Sequence, residues 1–307
     1  MKVFFAFLLL LSVSTTLVKG QGAIDGFFNP KGKSSLAISY TRGSFDEFYA
    51  GTDKQNSVPA HEEISQDIIN FYWKYGVKDN LNLIASVPYI RASSDAGPDP
   101  INGETEVESL QDLSLYLTWN PYSSAFGSLN VDYIAALGLT TPLTNYEPNG
   151  ILSIGSGAAS VNPTLGVNIK HNSGFFVTLT AAYSLRGDAE KDVSLFGGID
   201  PDAGVTPDDF NVPDAWLFSA KAGYSFGKFY VDVFSDSQFS NSDGIDITDA
   251  DFGGKFPGTR VNYTRLGFSA YANVGDGFGV SVGYSTITDG RNIGDLNYAS
   301  AALVFDF

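Results

Sequence analysis

The sequence predicts an all-β protein: a single 12-stranded antiparallel transmembrane β-barrel of the outer-membrane type. Three observations favour this fold. Apolar and mixed side chains alternate with a period of two in 12 segments of the chain. The connections between those segments are alternately short and long, and the last segment ends on an aromatic residue, Phe307. Alternation gives each strand one apolar face, and membrane barrels combine short turns at one end with long loops at the other.

The N-terminus predicts export. A short basic start precedes an apolar run from Val3 to Leu11, and small residues lead up to Gly20. This layout is typical of a secretory signal peptide, and the run is too short for a membrane anchor. We therefore expect a signal peptide over residues 1–20, cleaved near Gly20, an N-terminal segment over residues 21–33 and a transmembrane barrel over residues 34–307.

The composition agrees with an exported all-β chain. Its 307 residues include 24 Phe, 16 Tyr and 33 Gly, residue types that strands and tight turns use. The absence of cysteine excludes a disulfide framework and a lipid-anchored cysteine. The net charge of −16 argues against nucleic acid as a partner, because nucleic-acid binding needs basic patches.

The first five segments each carry apolar residues at every second position. They are Ser34–Arg42, Ile64–Tyr75, Leu81–Arg91, Leu110–Asn120 and Ser128–Thr141. Their apolar faces read Leu-x-Ile-x-Tyr from Leu36, Ile-x-Phe-x-Trp-x-Tyr from Ile69, Leu-x-Leu-x-Ala-x-Val-x-Tyr from Leu81, Leu-x-Leu-x-Leu-x-Trp from Leu113 and Leu-x-Val-x-Tyr-x-Ala-x-Leu-x-Leu from Leu129. Each is long enough to cross hydrocarbon as a tilted strand.

The remaining seven segments continue the pattern, although the ninth is less regular. They are Val161–Lys170, Phe175–Arg186, Ala215–Phe226, Lys228–Gln238, Val261–Asn273, Phe278–Thr288 and Asn297–Phe307. The last one alternates as Ala-x-Ala-x-Leu-x-Phe-x-Phe from Ala299 and resembles the terminal strand that the outer-membrane assembly machinery reads. We therefore expect this machinery to be a partner through Phe307.

The connections sort by length. The short ones are Gly76–Asn80, Pro121–Gly127, His171–Gly174, a turn at Gly227 and Val274–Gly277; the long ones are Gly43–Glu63, Ala92–Ser109, Pro142–Ser160, Gly187–Asp214, Phe239–Arg260 and the shorter Asp289–Gly294. A soluble β-sandwich, the alternative fold, has no reason to sort loops by end. Aromatics recur at the segment ends, where membrane interfaces lie. They are Trp73, Tyr75, Trp119, Phe226 and Phe307 on one rim, and Tyr89, Tyr183 and Tyr284 on the other.

Several stretches resemble the MetA-pathway of phenol degradation family of outer-membrane transporters. The stretches are Tyr75–Leu81 with Pro88-Tyr89, Ser109–Leu113, Thr140–Thr144, Ser153–Gly157, Thr264–Gly267 and Gly290–Asn292. The chain departs from the family pattern at Ser109–Leu113, where two glycines are missing. The resemblance implies an outer-membrane barrel with a transport role, and small apolar or aromatic compounds as its substrates.

Catalysis is not expected, although an outer-membrane hydrolase is one alternative and a structural or adhesion barrel is another. The two histidines, His61 and His171, fall in a long loop and a short turn, at opposite ends of the barrel. They therefore cannot serve one site, and no Gly-x-Ser-x-Gly elbow is present. We expect no cofactor and no metal site. The acidic loop Asp243–Asp251 does not match calcium-loop spacing, and the preferred interpretation is a loop that is either solvated or bridges lipopolysaccharide.

The mixed face of the strands is the candidate functional surface. Because the apolar face meets lipid, this face lines the lumen, where solutes pass or where charge pairs serve as structural struts. The predicted lumen-lining residues are Asn70, Lys74, Asp112, Tyr116, Asp132, Lys170, Arg186, Lys221, Asp232 and Arg265. Passive passage of small, amphipathic or aromatic solutes is the predicted function, with membrane lipid and lipopolysaccharide as further partners. The segment over residues 21–33 is either a lumen plug or a periplasmic tail.

Overall fold

Twelve long strands, β1 to β12, form the wall of a barrel. A computed structural model describes residues 24–58, 60–189, 210–250, 252 and 254–307, so the predicted signal peptide lies outside the described residues. The strands are β1 (Ser34–Phe45), β2 (Ile64–Lys78), β3 (Leu81–Ser94), β4 (Glu106–Leu110 and Asp112–Trp119), β5 (Leu129–Pro142), β6 (Ser160–His171), β7 (Phe175–Arg186), β8 (Ala215–Phe226), β9 (Phe229–Ser240), β10 (Asn262–Gly275), β11 (Phe278–Arg291) and β12 (Asn297–Asp306).

The sheet closes on itself. Each strand pairs antiparallel with its neighbours in sequence, and β1 pairs with both β2 and β12. The last residue completes the seam, because Ser34 N donates to Phe307 O at 2.7 Å and Phe307 N donates to Ser34 O at 2.9 Å. Closure removes the unpaired edges that an open sheet would present. The prediction of a 12-stranded antiparallel barrel is confirmed.

The strands continue beyond the segments that the sequence pattern marks. β1, β3 and β11 extend three residues further toward the long loops, because backbone pairing persists past the level where an apolar face is needed. β4 differs more: it begins at Glu106 and is interrupted at Gln111, whose N–H donates to Pro88 O at 2.9 Å. A short strand, Ser123–Phe126, pairs with the start of β5 inside a connection that the sequence pattern treats as a turn.

The outer face of the barrel is apolar and exposed, as a lipid-facing surface must be. Leu165 is 70% exposed and Val233 is 61% exposed. Aromatic side chains pack together near the strand ends: Trp73 stacks on Tyr75 with ring centroids 5.8 Å apart, and Tyr183 meets Trp216 at 4.9 Å. These rings lie where the predicted interface belts are expected.

The long loops pack together above the barrel. Phe45, Val58, Leu152 and Leu296 are buried in one cluster that joins three connections, those between β1 and β2, β5 and β6, and β11 and β12. Short strand pairs also link Phe48–Ala50 to Asp53–Gln55 and to Ile293–Gly294. Within the described ranges, no helix is long and apolar enough to cross a membrane.

Candidate functional site: the barrel lumen

The ten predicted lumen residues all lie on the strand face opposite the lipid-facing side chains. Lys74, Asp132, Lys221 and Asp232 are buried, with exposed fractions between 1% and 9%. The other six are less deeply covered; they are Asn70, Asp112, Tyr116, Lys170, Arg186 and Arg265. Buried charges of this kind persist only when they are paired or hydrogen-bonded, so their partners decide what the lumen can do.

Two cavities occupy the middle of the lumen. The first chamber, of about 470 Å³, lies against Asn70 and Asp112 on one side and Arg265 on the other. The second chamber, of about 340 Å³, is lined by Tyr116, Lys221 and Arg265. Open volume of this size distinguishes the barrel from one that side chains fill completely. Of the ten predicted residues, the structure places Asn70, Asp112, Tyr116, Lys221 and Arg265 on the chambers.

Phe234 and Arg265 line both chambers and stand between them. The guanidinium carbon of Arg265 lies 5.9 Å from the centroid of the Phe234 ring, within cation–π range. The ring lies against Gly267, where an added Cβ would be 2.4 Å from its Cζ atom. A side chain at position 267 would therefore displace the Phe234 ring from its place between the two chambers.

Most lumen charges have an opposite partner. Arg265 donates to Asp236 Oδ2 at 2.7 Å, and Ser219 donates to the other oxygen of Asp236 at 2.7 Å. Lys170 pairs with Asp132 at 2.5 Å, near the short-turn end of the barrel. Arg186 bonds instead to neutral acceptors, including Gln238 Oε1 at 2.9 Å, and no ion pair of Arg186 occurs in the described part of the chain.

The N-terminal segment contacts the inner face at the short-turn end. Asp25 Oδ2 lies 2.6 Å from Lys74 Nζ, and the two side chains are only 4% and 2% exposed. The Phe27 ring packs edge-on against Phe176 at 5.2 Å and Tyr230 at 6.3 Å. A charge pair and an aromatic cluster thus hold the same short peptide.

The backbone of this segment also fits its surroundings closely. Asn168 Nδ2 donates to Gly26 O at 2.9 Å, and Asn29 Nδ2 donates to Ser35 Oγ at 3.0 Å. At Gly76 on β2, an added Cβ would lie 2.1 Å from Pro30 O. The N-terminal segment can therefore pass beside β2 only because residue 76 has no side chain.

At the opposite end, a loop of residues 143–159, called the cap loop, contacts Asp112 in the wall of the first chamber. Tyr146 is buried, donates its hydroxyl to Asp112 Oδ1 at 2.7 Å and accepts from Gly157 N at 3.1 Å. Burial and the Asp112 carboxylate raise the pKa of the Tyr146 hydroxyl above its ordinary value. Leu152 of the same loop is fully buried, and its N–H donates to Asp99 Oδ2 at 2.8 Å.

Sequence reasoning missed Asp25 and Tyr146 as lumen contacts. Both lie outside the alternating segments, so strand periodicity gives no information about them. The one signal for Asp25 is its position as an isolated acid beside Phe27 and Phe28. No sequence signal marks Tyr146 as the residue of its loop that reaches the barrel wall.

The two histidines lie in different surroundings. His61 is buried in a long loop, with Nδ1 2.5 Å from Ser94 Oγ and Nε2 without a partner. His171 contacts Ser173 at an exposed turn. No described carboxylate orients His61, so the contact with Ser94 lacks the third group of a hydrolytic triad.

The acidic loop is held by arginines. Asp246 Oδ2 lies 3.0 Å from Arg260 and 2.5 Å from Arg291. Among the residues that the structure covers, no group of three His, Asp or Glu side chains could hold a metal ion.

Three solved structures are similar to this chain to different degrees. The COG4313 outer membrane channel from Pseudomonas putida F1 superposes with a TM-score of 0.70 at 16% identity, over 91% of this chain and 97% of that one. The β domain of the Bordetella autotransporter BrkA gives a TM-score of 0.48 at 13% identity, over 90% and 100% of the two chains. The KdgM porin gives 0.46 at 7% identity, over 88% and 99%. Comparison with curated protein sequences gives no match.

The first of these structures shares the fold of this chain. Membership of a protein family is shown by a family model. The model described as "Putative MetA-pathway of phenol degradation" matches residues 52–303, which is most of the chain and includes all of the strands from β2 to β11. The protein therefore belongs to this family, with the fold of a 12-stranded outer-membrane barrel.

Proposed function

We propose that the protein is a passive channel of the bacterial outer membrane for small solutes, amphipathic and aromatic compounds among them. The observation that carries this proposal is the open, polar interior: two chambers of about 470 and 340 Å³ lie inside a closed barrel. A barrel that only anchors or displays loops needs no such space. The lumen residues on the chambers are proposed to line the path.

The chemistry of the lining supports amphipathic solutes. Hydrogen-bonding groups such as Asn70, Asp112 and Tyr116 share the chambers with the apolar side chains of Ile68 and Phe234. Ligand sites are usually apolar surfaces with a few placed polar groups. A compound with one polar end and one aromatic or aliphatic body satisfies both parts of the lining.

The N-terminal segment is proposed to be a plug that controls passage at the periplasmic end. The support is its buried Asp25–Lys74 ion pair and the contact of Phe27 with Phe176. A solute that leaves the second chamber toward the periplasm meets this segment, since Ile24 lines that chamber. Displacement of a short peptide is a smaller change than deformation of a closed sheet.

Export and assembly complete the proposal. A signal peptide over residues 1–20, cleaved near Gly20, would deliver the chain to the periplasm. The exposed ring of Phe307 would be read by the barrel assembly machinery, and the outer loops would contact lipopolysaccharide.

The experiment that tests the channel compares full-length mature protein with a variant that lacks Gln21–Lys33. Both are reconstituted into planar bilayers and into liposomes with matched aromatic, fatty and sugar solutes. We expect conductance steps for both proteins and faster uptake in the deletion variant. Unchanged uptake after the deletion would remove the plug, and absence of both conductance and uptake in the two proteins would overturn the channel.

The alternatives are tested with the same samples. Hydrolysis of phospholipid or peptide that is lost in His61→Ala would establish a hydrolase through the His61–Ser94 contact. Strong attachment to surfaces without any conductance would instead favour an adhesion barrel.

A further inference from the structure

Lys221 on β8 differs from the other lumen cations. Its side chain is only 10% exposed, and its single ion-pair partner among the described residues, Asp232, lies 4.0 Å away. That distance exceeds hydrogen-bond length. A lysine ammonium has three donors, and in the described part of the chain none of them has an acceptor. The Asp232 oxygen nearest Lys221, Oδ2, accepts from Ser269 Oγ at 2.8 Å, and Oδ1 of Asp232 is buried without a hydrogen-bond partner among the described residues.

Lys221 belongs to the lining of the second chamber, together with Arg265. The paired strands fix their relative position: Lys221 is in register with Phe234 on β9, which is in register with Gly267 on β10, two residues from Arg265. Lys221 on β8 and Arg265 on β10 are thus separated by one strand, β9, which carries Phe234. Asp236 on the intervening strand accepts one hydrogen bond at each oxygen, from Ser219 and from Arg265.

Arg265 has unused donor capacity as well. Its Nε atom is buried and has no hydrogen-bond partner, although a guanidinium offers five N–H donors. The lining of the second chamber therefore carries two cations and one carboxylate, Asp236, each of whose oxygens already accepts one hydrogen bond. Desolvated donors of this kind favour an anionic acceptor, since hydrogen bonds between charged groups are the strong ones.

The rest of the chamber is suited to a flat apolar body. Phe234, Tyr116 and Tyr263 present aromatic rings, and Ile24 and Leu217 add aliphatic surface. Its volume of about 340 Å³ lies at the lower end of the range for ligand cavities, roughly 300–1,000 Å³. The space therefore accommodates a single-ring compound rather than a long acyl chain.

We infer that the second chamber is a binding site for small aromatic monocarboxylates, with the carboxylate held by Lys221 and the ring beside Phe234. This inference deepens the proposed channel function and rests on it. The site would hold an aromatic acid beside the N-terminal segment, whose Ile24 lines the same chamber.

Equilibrium binding tests the site with benzoate and benzamide as probes. The two compounds have nearly the same shape and differ in charge. Full-length mature protein in detergent should bind benzoate saturably and about tenfold more tightly than benzamide, as expected for a charge-assisted hydrogen bond. Equal affinity for the two probes would overturn the inference with no variant needed. Equal affinity for hexanoate would overturn its aromatic part.

Three variants locate the binding. Lys221→Gln should weaken benzoate binding about tenfold and abolish the preference over benzamide. Lys221→Arg, which keeps the charge, should retain that preference. Lys228→Gln makes the same charge change in the exposed turn of the same hairpin and should bind benzoate like the parent protein. Unchanged benzoate affinity in a correctly folded Lys221→Gln variant would overturn the site.

Uptake of neutral benzamide into liposomes separates this inference from the channel. Benzamide uptake without Lys221-dependent benzoate binding overturns the anion site and leaves the channel. Absence of conductance and uptake for every solute overturns the channel, on which the proposed site depends.

Discussion

At the scale of single residues, the lumen depends on a few close fits that no local pattern encodes. Gly76 is one of them, because Gly32 N donates to Gly76 O at 2.7 Å while Gly76 N donates to Lys33 O at 2.9 Å. The N-terminal segment is thereby paired to β2 at a position where a methyl group would meet Pro30 O at 2.1 Å. A real Cβ does not tolerate such a distance, so the segment must move if the glycine is replaced.

We therefore expect Gly76→Ala to displace the N-terminal segment and to raise single-channel conductance in planar bilayers. The barrel itself should still form, since alanine is acceptable in extended backbone. Gly275→Ala is a matched control, because a Cβ there meets nothing within 4 Å. Equal conductance of the Gly76→Ala variant and the parent would contradict the close packing described above.

Asp25 gives a second test at this scale. Removing one partner of a buried ion pair leaves an uncompensated charge, which costs about 3–5 kcal/mol when nothing else can relax. In Asp25→Asn the segment can leave instead and let water reach Lys74. We expect faster protease cleavage before Lys33 in intact barrels. Asp79→Asn should behave like the parent, since Asp79 only accepts from Lys31 N in an exposed turn.

These two residues also show the limit of sequence reasoning. The inward orientation of Lys74 follows from period-two alternation in β2, whereas its partner lies 49 positions earlier in a segment without periodicity. Alternation specifies the face of a side chain and carries no information on what approaches that face from outside the sheet. The pairing of Asp25 with Lys74 is accordingly seen only in three dimensions.

At the scale of elements, two hydroxyls of the cap loop bond to β4: Tyr146 donates to Asp112 Oδ1 at 2.7 Å and Thr144 donates to Leu110 O at 2.6 Å. Tyr146→Phe removes the hydrogen bond to Asp112 and leaves Gly157 N without its acceptor. Loss of a partner for buried groups costs about 1–3 kcal/mol. We expect more frequent channel openings with unchanged unit conductance, measured in planar bilayers. Tyr122→Phe, at a 63% exposed tyrosine of a short turn, is the control and should leave the openings unchanged.

The raised pKa of Tyr146 fixes the direction of the pH effect on the same loop. A group whose folded-state pKa is raised contributes stability that is complete below its unfolded value, about 10 for tyrosine. That contribution is lost as the pH rises through the folded value. The difference in opening frequency between the parent and Tyr146→Phe should therefore be constant between about pH 6 and pH 9. A difference that varied across this interval would exclude the Tyr146 hydroxyl as the group that holds the cap loop.

The terminal strand β12 closes the barrel, and its last residue combines two roles. The backbone of Phe307 pairs with Ser34, while its ring is 64% exposed. Phe307→Asp should reduce the yield of heat-modifiable barrel several-fold, because the exposed ring is the part available to the assembly machinery. Phe126→Asp changes a ring of 65% exposure in a short connection and should reduce the yield much less. Similar yields for the two variants would refute recognition of the terminal ring.

The elements themselves are the part of the structure that sequence reasoning predicts best. Strand identity and pairing order follow from alternation and from the sorting of connections by length. The interruption of β4 at Gln111 does not, because it depends on Pro88 of the neighbouring strand, whose ring removes a donor from the ladder. The packing of the long loops is equally hidden, since Leu152 and Phe45 meet across many residues of sequence.

At the scale of the whole molecule, the charge is distributed unevenly between the lumen and the long loops. Lumen acids and bases nearly balance, whereas the exposed loop residues on the cap side are mostly acidic. Examples among the described residues are Glu62, Glu63, Asp95, Glu104 and Asp243. Exposed charges act over a Debye length, which shrinks from about 10 Å at 0.1 M salt to about 3 Å at 1 M. The field at the mouth is consequently sensitive to salt, while that of the buried lumen pairs is not.

We therefore expect a weak preference for small cations that disappears at high ionic strength. Reversal potentials in KCl gradients should give a cation-to-anion permeability ratio above one near 0.1 M and close to one near 1 M. Neutralising two loop acids together, Glu62→Gln with Glu104→Gln, should lower the ratio at low salt only, because neither side chain lines the chambers. An anion preference that persists at 1 M salt would contradict the view that the acidic loops set the ion preference. Only the weakly screened cations of the lumen, Lys221 and Arg265 among them, could maintain such a preference.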